Sequence, residues 1–318
     1  MPAMTASTHV TELCQKVFGT VPDAVLRPGG VSRQTILLQV GAARYALAKR
    51  SSPARAALEA GALRYLSGTG HTPSLVHHEG CFVIQTYVEG KRLSAVLDRA
   101  APDEVDHWIT SAAQSLATLQ EAAAQSPLRA QLPHIGARDG WAADLAQVPA
   151  RLAQRLGIDL DFDVAQATRR LAVPRPQPVK WDARPGNAIV TPDGRVVWFD
   201  WEHCGLRRAT DDLAWFLADE WCPHRPDLEP ALIARFAAAD PEAFTTMALL
   251  HAFVRVDLIL SRRAGGPWWD RETCLAQDKI GVTANELARQ LAKIKAWGAR
   301  SKSAYGLNQF CDAIAERI

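Results

Sequence analysis

The chain has no CxxC pair, no histidines at metal-ligand spacing and no block of one charge. Its six cysteines, Cys14, Cys81, Cys204, Cys222, Cys274 and Cys311, are scattered. That pattern argues against a disulfide framework or a zinc site, and leaves the reduced thiols of a cytoplasmic protein as the expectation. Thirty-six Lys and Arg against 34 Asp and Glu give a net charge of +2. No basic field is present to hold nucleic acid or an anionic membrane surface. No apolar run approaches the length of a membrane span, and MPAMTASTHVTELC has neither the basic start nor the apolar core of a secretory signal. Internal repeats and low-complexity segments are missing too. What remains is a globular composition, 48% hydrophobic and 22% charged, with ten tryptophans that belong mostly in a core.

With 318 residues the chain has room for two lobes. The first ninety residues read as β-rich around one helix. RPGGVSRQTILLQV places a Gly-Gly turn before a strand over Ile36 to Val40, and AARYALAKR is its hairpin partner across Gly41. SSPARAALEAGALRYLSG opens like a helix, with Ser and Pro, and closes at Gly68. CFVIQTYV is a further strand. Beyond Gly90 the pattern is mainly helical, with Val105, Trp108, Ile109, Ala112, Leu116 and Leu119 on one stripe. NAIVTPDGRVVWFDW interrupts it with two short strands about a Thr-Pro-Asp-Gly turn. The expected architecture is α+β in two lobes, residues 1–88 and 89–318.

Three polar groups stand around that hairpin: Asp182, Asn187 and Asp200. A hairpin brings its entry and exit side by side, so Asn187 and Asp200 can converge on one point. Two oxygen ligands of this kind suit a phosphate-bridging Mg²⁺, which takes few protein ligands and keeps its waters. Asp182 is then placed to orient or deprotonate an attacking hydroxyl. Each piece also has an ordinary reading. Asp and Asn favour turns, Lys49 at a strand end can be a solvated charge, and Glu59 can sit on a helix surface. Five such coincidences in the right order are another matter.

The order DARPGNAIV, VVWFDWEHCG, TDDLAWFL resembles the aminoglycoside phosphotransferase and choline kinase-like family, which has a protein-kinase-like fold. Asp182, Pro185, Gly186, Asn187, Asp200, Trp201, Glu202, Asp212, Leu213 and Ala214 fall on the family's motifs. The resemblance implies an ATP-dependent kinase that phosphorylates a hydroxyl of a metabolite or an antibiotic, with Mg²⁺ as cofactor. It implies Asp182 as the catalytic carboxylate, Asn187 and Asp200 as metal ligands, and Asp212 as a support behind the loop. Lys49 would bind the α- and β-phosphates, paired with Glu59. Gly29, Gly30 and Ser32 would form the phosphate loop, and Gln85, Thr86 and Tyr87 the hinge that receives adenine. Arg184, two residues past Asp182, either stabilises the transferring charge or is a solvated loop arginine.

One departure is conspicuous. Family members usually carry His-Gly before the catalytic Asp, where this chain has Lys180-Trp181. The loop's support and shape are therefore in question, although no catalytic group is lost. The acceptor is not legible. From Gly205 onward fifteen acids balance fifteen bases, so no acidic excess awaits a polycation. Glu202, Glu220, Asp257 and Trp268 are candidate acceptor contacts, the acids for amines and the ring for cation–π or stacking. Two other classes compete with a small-molecule kinase. One is a nucleotide-binding pseudokinase. The other is a protein kinase, which the ten residues from Glu202 to Asp212 disfavour because they leave no room for an activation loop.

Overall fold

A computed structural model describes residues 8–27, 35–301 and 303–317. Helix α1 (Thr8–Phe18) precedes strands β1 (Ala24–Leu26), β2 (Thr35–Val40) and β3 (Ala43–Lys49). Next come α2 (Pro53–Leu66), β4 (Leu75–Glu79) and β5 (Phe82–Thr86). These strands form one antiparallel sheet in the order β1-β2-β3-β5-β4. The β2–β3 hairpin pairs Thr35 with Ala48 and Val40 with Ala43 across Gly41, whose φ of 59° suits glycine. Ser52 caps α2, its hydroxyl accepting from the Arg55 N–H, with Pro53 at the first helical position.

Alternation along β3 divides its side chains between two environments. Leu47 joins Leu38, Ile84 and Ile36 in an apolar layer closed by Val10, Leu13 and Cys14 of α1. The opposite face, with Ala46, looks into a cleft shared with the rest of the molecule.

The chain crosses through β6 (Lys91–Arg92) into α3 (Leu93–Arg99) and α4 (Pro102–Gln125). Val105, Ile109, Ala112, Leu116 and Leu119 of α4 are buried, as their spacing predicts. Short helices α5 (Trp141–Ala146), α6 (Val148–Leu156) and α7 (Val164–Arg170) follow, with β7 (Asp161–Phe162) between the last two. Then β8 (Gln177–Val179), β9 (Ala188–Val190), β10 (Val196–Trp198) and β11 (Gly205–Arg207) frame the candidate site. Strand β9 pairs with both β10 and β6, and β8 pairs with β11.

The remainder is helical: α8 (Thr210–Ala218), α9 (Glu229–Phe236), α10 (Pro241–Arg263), α11 (Arg271–Ala276), α12 (Ala284–Gly298) and α13 (Leu307–Glu316), with β12 (Ala304–Tyr305) paired to β7. The chain is thus α+β, a sheet region followed by a mainly helical one. One expectation needs correction. By length and composition α10 could cross a membrane, but most of its apolar window is buried inside the protein. It packs against α8 and α12 as a core helix, buried on nearly every side.

Candidate active site

A cleft of about 450 Å³ opens between the first sheet and the helical region. Leu37, Ala46 and Gln85 line it from the sheet, and Asp182, Asn187 and Asp200 from the other side. These three acidic and amide groups, separated in sequence, therefore meet in one cavity.

The loop that carries Asp182 begins where β8 ends. Trp181 and Asp182 both take left-handed backbone, with φ of 53° and 47°, and Asp200 does the same at 62°. Such geometry costs a residue other than glycine roughly 1–3 kcal/mol, so neighbouring contacts must impose it. Asp212 supplies two of them. Its Oδ2 accepts the Lys180 N–H and its Oδ1 the Trp181 N–H, both at 2.8 Å. Gln120 Nε2 donates to the same carboxylate at 2.8 Å and holds it in place.

Lys180 supplies the rest. It is 1% exposed, and its ammonium donates to the carbonyl of Asp200 at 3.0 Å and to that of Asp182 at 3.3 Å. A single buried cation thus ties together the two left-handed turns that present the Asp182 and Asp200 carboxylates. Burial pushes its pKa below the ordinary lysine range, against the opposing charges of Asp182, Asp200 and Asp212. The Trp181 ring is held by Trp215 at 4.5 Å and Trp141 at 6.1 Å between centroids, and Trp215 in turn packs on His251 at 4.1 Å. Lys180-Trp181 is therefore a built support and not a gap in the loop.

Asn187 closes a 3₁₀ turn over Pro185–Asn187. Its Nδ2 donates to Asp182 Oδ2 at 2.8 Å and to the Asp182 carbonyl at 3.0 Å. With the amide so oriented, Oδ1 is left to accept or to coordinate. The Phe199 N–H donates to the Asn187 carbonyl at 3.0 Å, which fixes the neighbouring Asp200 beside Asn187. Burial alone would raise the Asp200 carboxyl, but Arg50 and Lys180 hold it below its usual value, ionised at neutral pH. An amide oxygen and an ionised carboxylate are hard donors, and they fit a Mg²⁺ that draws its other ligands from phosphate and water. No cluster of three His, Cys, Asp or Glu suited to a metal occurs among the described residues.

The cation that turns into the cleft is Arg50, not the expected Lys49. Lys49 is exposed, with its ammonium 5.8 Å from the Phe82 ring centroid on the outer face of the sheet. The next residue, Arg50, is the one that turns into the cleft. Its Nε and Nη2 form a fork onto Glu59, while Nη1 reaches Asp200 at 2.9 Å and Glu202 at 3.1 Å. The reason is the period of two along a strand: Ala46 and Arg50 share a face, whereas Lys49 belongs with Leu47. Burial works against Arg50's charge, but Glu59, Asp200 and Glu202 together hold its pKa above the usual arginine value.

Gly29, Gly30 and Ser32 lie outside the described residues. Gln85, Thr86 and Tyr87 do line the cleft. The Thr86 N–H, however, is engaged by the Ser74 carbonyl at 3.0 Å and that of Tyr87 by Arg44 at 3.2 Å. Gln85 is 5% exposed, and its Oε1 is a buried acceptor without a hydrogen bond.

Arg184 is not a solvated loop arginine. Its Nε lies 3.2 Å from Asp219 and its Nη2 3.4 Å from Asp278. Burial opposes its charge, and the two carboxylates keep it protonated. Asp278, itself left-handed at φ 49°, presses so closely on the loop that a Cβ on Gly186 would stand 1.8 Å from its Oδ1. Gly186 is thus required by contact, not by a turn. Arg92 joins the group, donating to the Gly186 carbonyl and to Asp278 Oδ2 at 3.1 Å. Nothing in the sequence marks Arg92 or Asp278, because tertiary folding alone brings them to the loop.

The four candidate acceptor contacts are not gathered at this cleft. Glu220 is fully buried and forked by Arg255, because it joins helices behind the site. Asp257 pairs with Arg155 at 2.6 Å on the surface of α10. Trp268 lies under Arg263, whose guanidinium carbon is 4.1 Å from the ring centroid, and borders a separate cavity beside α12. Glu202 turns to Arg50.

Residues 23–250 match the sequence model of a family described as the phosphotransferase enzyme family. Among solved structures, the chain is similar to an aminoglycoside phosphotransferase from Alicyclobacillus acidocaldarius, with 15% identity, 98% of both chains covered and a TM-score of 0.55. It is similar also to aminoglycoside 2'-phosphotransferase-IIIa in its GDP complex, with 16% identity over 86% of this chain and 98% of that one, and a TM-score of 0.58. A choline kinase from Cryptosporidium parvum follows, at 12% identity, 91% and 94% coverage and a TM-score of 0.53. At such identities the likeness is one of fold. No curated protein matches the chain.

Proposed function

The chain belongs to the phosphotransferase enzyme family, and from that premise we propose that it transfers the γ-phosphate of ATP to a hydroxyl group of a small metabolite or antibiotic. The observation that carries this reading is the convergence of Asp182, Asn187, Asp200 and Arg50 on one cleft. Family members need an anchored cation, a metal pair and a carboxylate base in that arrangement, and here each has a residue.

In this reading the adenine lies against Gln85 and the stretch that follows it, with Val88 next in line because the Thr86 and Tyr87 N–H groups are already bonded. Arg50 faces the α- and β-phosphates in the place expected of Lys49. Asn187 Oδ1 and the Asp200 carboxylate would hold Mg²⁺, which supplies charge neutralisation to the phosphates when bound. Asp182 accepts the proton of the acceptor hydroxyl, and its carboxylate is already aimed by Asn187 Nδ2. Arg184 stands two residues on, where a guanidinium can offset charge on the moving phosphoryl group. Positioning and electrostatics, more than covalent chemistry, carry such a transfer.

The test is a screen of hydroxylated metabolites and antibiotics for ADP release with Mg-ATP, repeated with Asp182→Asn. A positive acceptor should lose about 10²–10⁴-fold in turnover in the variant, with ATP binding by thermal shift kept. Undiminished turnover in Asp182→Asn would remove Asp182 from the mechanism. ATP binding with no turnover across the panel would instead favour a regulatory pseudokinase.

A further inference from the structure

A second cavity, of about 700 Å³, lies on the other side of the catalytic loop and shares no lining residue with the nucleotide cleft. Trp181 and His203 line it, and their near neighbours in sequence, Asp182 and Asp200, line that cleft. Arg55, His134 and His203 line the second cavity, with no Asp or Glu lining it among the described residues. Ser52 and Arg55 bring to it the first turn of α2, the end of a 14-residue helix that carries partial positive charge. Trp181 gives it a ring as one wall.

The donors are set by chemistry. Arg55 Nη1 lies 2.9 Å from the Glu202 carbonyl and 2.9 Å from His203 Nδ1. A guanidinium can only donate, so His203 Nδ1 accepts and a neutral His203 keeps its proton on Nε2. That leaves an N–H donor on the ring besides the remaining donors of Arg55. The nearest carboxylate, Glu202, is 4.0 Å from His203 Nε2 and is drawn instead to Arg50 at 3.1 Å.

From this basic cavity with an aromatic wall we infer a binding site for a small molecule that bears a phosphate or carboxylate group. Its volume is that of ordinary small-molecule sites, roughly 300–1,000 Å³. A polyamine would meet the Arg55 guanidinium there and no lining carboxylate. The site touches three parts of the phosphotransfer machinery: α2, which carries Glu59 and so Arg50; Trp181, next to Asp182; and His203, three residues past Asp200. An anion that bridges Arg55 and His203 would fasten α2 to the segment behind Asp200. The anion can belong to the acceptor itself or to a separate effector, and both use the same chemistry.

The experiment is thermal unfolding of the whole chain, kept saturated with Mg-ADP so that the nucleotide cleft is filled, and titrated with inorganic phosphate or citrate at constant ionic strength. Tm should rise by a few degrees and saturate. Arg55→Gln should weaken the response at least tenfold. Because that change also removes a hydrogen bond to Glu202, His134→Gln/His203→Gln is the second variant, and it should weaken the response as well. No rise in Tm, or the same rise in both variants, overturns the site. This readout requires no turnover, so it stands or falls separately from the phosphotransfer reading. Where turnover is found, phosphate competitive with the acceptor marks the acceptor's own anionic group. Phosphate that changes the turnover of a neutral acceptor, with the change lost in Arg55→Gln, marks a separate effector.

Discussion

At the residue scale the unusual pair is Lys180-Trp181. The sequence identified it as a departure and left the loop's support open; the structure shows the support in a different chemical form. The ammonium of Lys180 reaches two carbonyls in two loops, those of Asp182 and Asp200, while Asp212 takes both backbone N–H groups. Lys180→Met would take the ammonium donor from the Asp200 carbonyl and one of several donors from that of Asp182, so the tie between the two left-handed turns would be lost and both would relax. A shift of about 1 Å in a positioned group is worth on the order of 100-fold in rate. We therefore expect kcat to fall by about that factor while KM for ATP changes little, as steady-state kinetics would register. Lys180→His/Trp181→Gly, which installs the dipeptide common in the family, should recover a good part of the loss. If the methionine variant kept full kcat, Lys180 would be ordinary core. The identity of Asp182, Asn187 and Asp200 as a group was legible because a short hairpin dictates their proximity. The role of Lys180 was not, since no local pattern says where a buried ammonium will point.

At the element scale the reading depended on periodicity. The β2–β3 and β9–β10 hairpins, α2 and the stripe of α4 follow turn chemistry and apolar spacing, so they could be located from residues alone. Strands β1 and β4 and helix α1 were not foreseen: three residues of Ala24–Leu26 and the half-polar LVHHE of β4 carry little signal of their own. Which of two cations lines the cleft turns on a single residue. Lys49 and Arg50 are adjacent cations at the end of β3, and a slip of one position exchanges the cleft for the outer face. Mutagenesis separates them. Lys49→Met should leave KM for ATP and Tm near wild type, because the side chain is exposed. Arg50→Lys keeps a charge but loses the planar fork onto Glu59, and should raise KM for ATP at least tenfold. Arg50→Met would leave the buried Glu59 unpaired, a change that costs roughly 3–5 kcal/mol, and is expected to lower Tm as well. Equal effects of the Lys49 and Arg50 substitutions on ATP affinity would contradict this assignment.

At the scale of the whole molecule, a line of buried ion pairs joins the loop that carries Asp182 to the helical region. Arg184 meets Asp219 just past α8, Asp219 lies 4.0 Å from Arg255 on α10, and Arg255 forks Glu220. Glu220 also accepts the Gly281 N–H at 3.1 Å, and Lys293 of α12 donates to the carbonyls of Leu217, Asp219 and Cys222. These residues are far apart in sequence, and their balance of charge hid them from a count of acids and bases. Their linkage makes stability depend on acid in a definite direction. Burial alone would raise the Glu220 carboxyl, but Arg255 overrides it and holds the pKa at about 2, below the ordinary 4.5. A carboxyl whose folded pKa is depressed gives stability that is present in full above its unfolded pKa. That stability is lost as pH falls toward the folded value. The loss should run from about 4.5 down to about 2. Glu220→Gln removes the titrating group, so its unfolding free energy should start lower at pH 7 and decline less between pH 7 and pH 3 than that of the wild type. The Glu220 charge also raises the neighbouring Asp219 carboxyl, so the difference between the two declines reports this acidic pair as a whole. Parallel declines in chemical denaturation at the two pH values would show that the Arg255 pair does not carry the acid sensitivity of the fold.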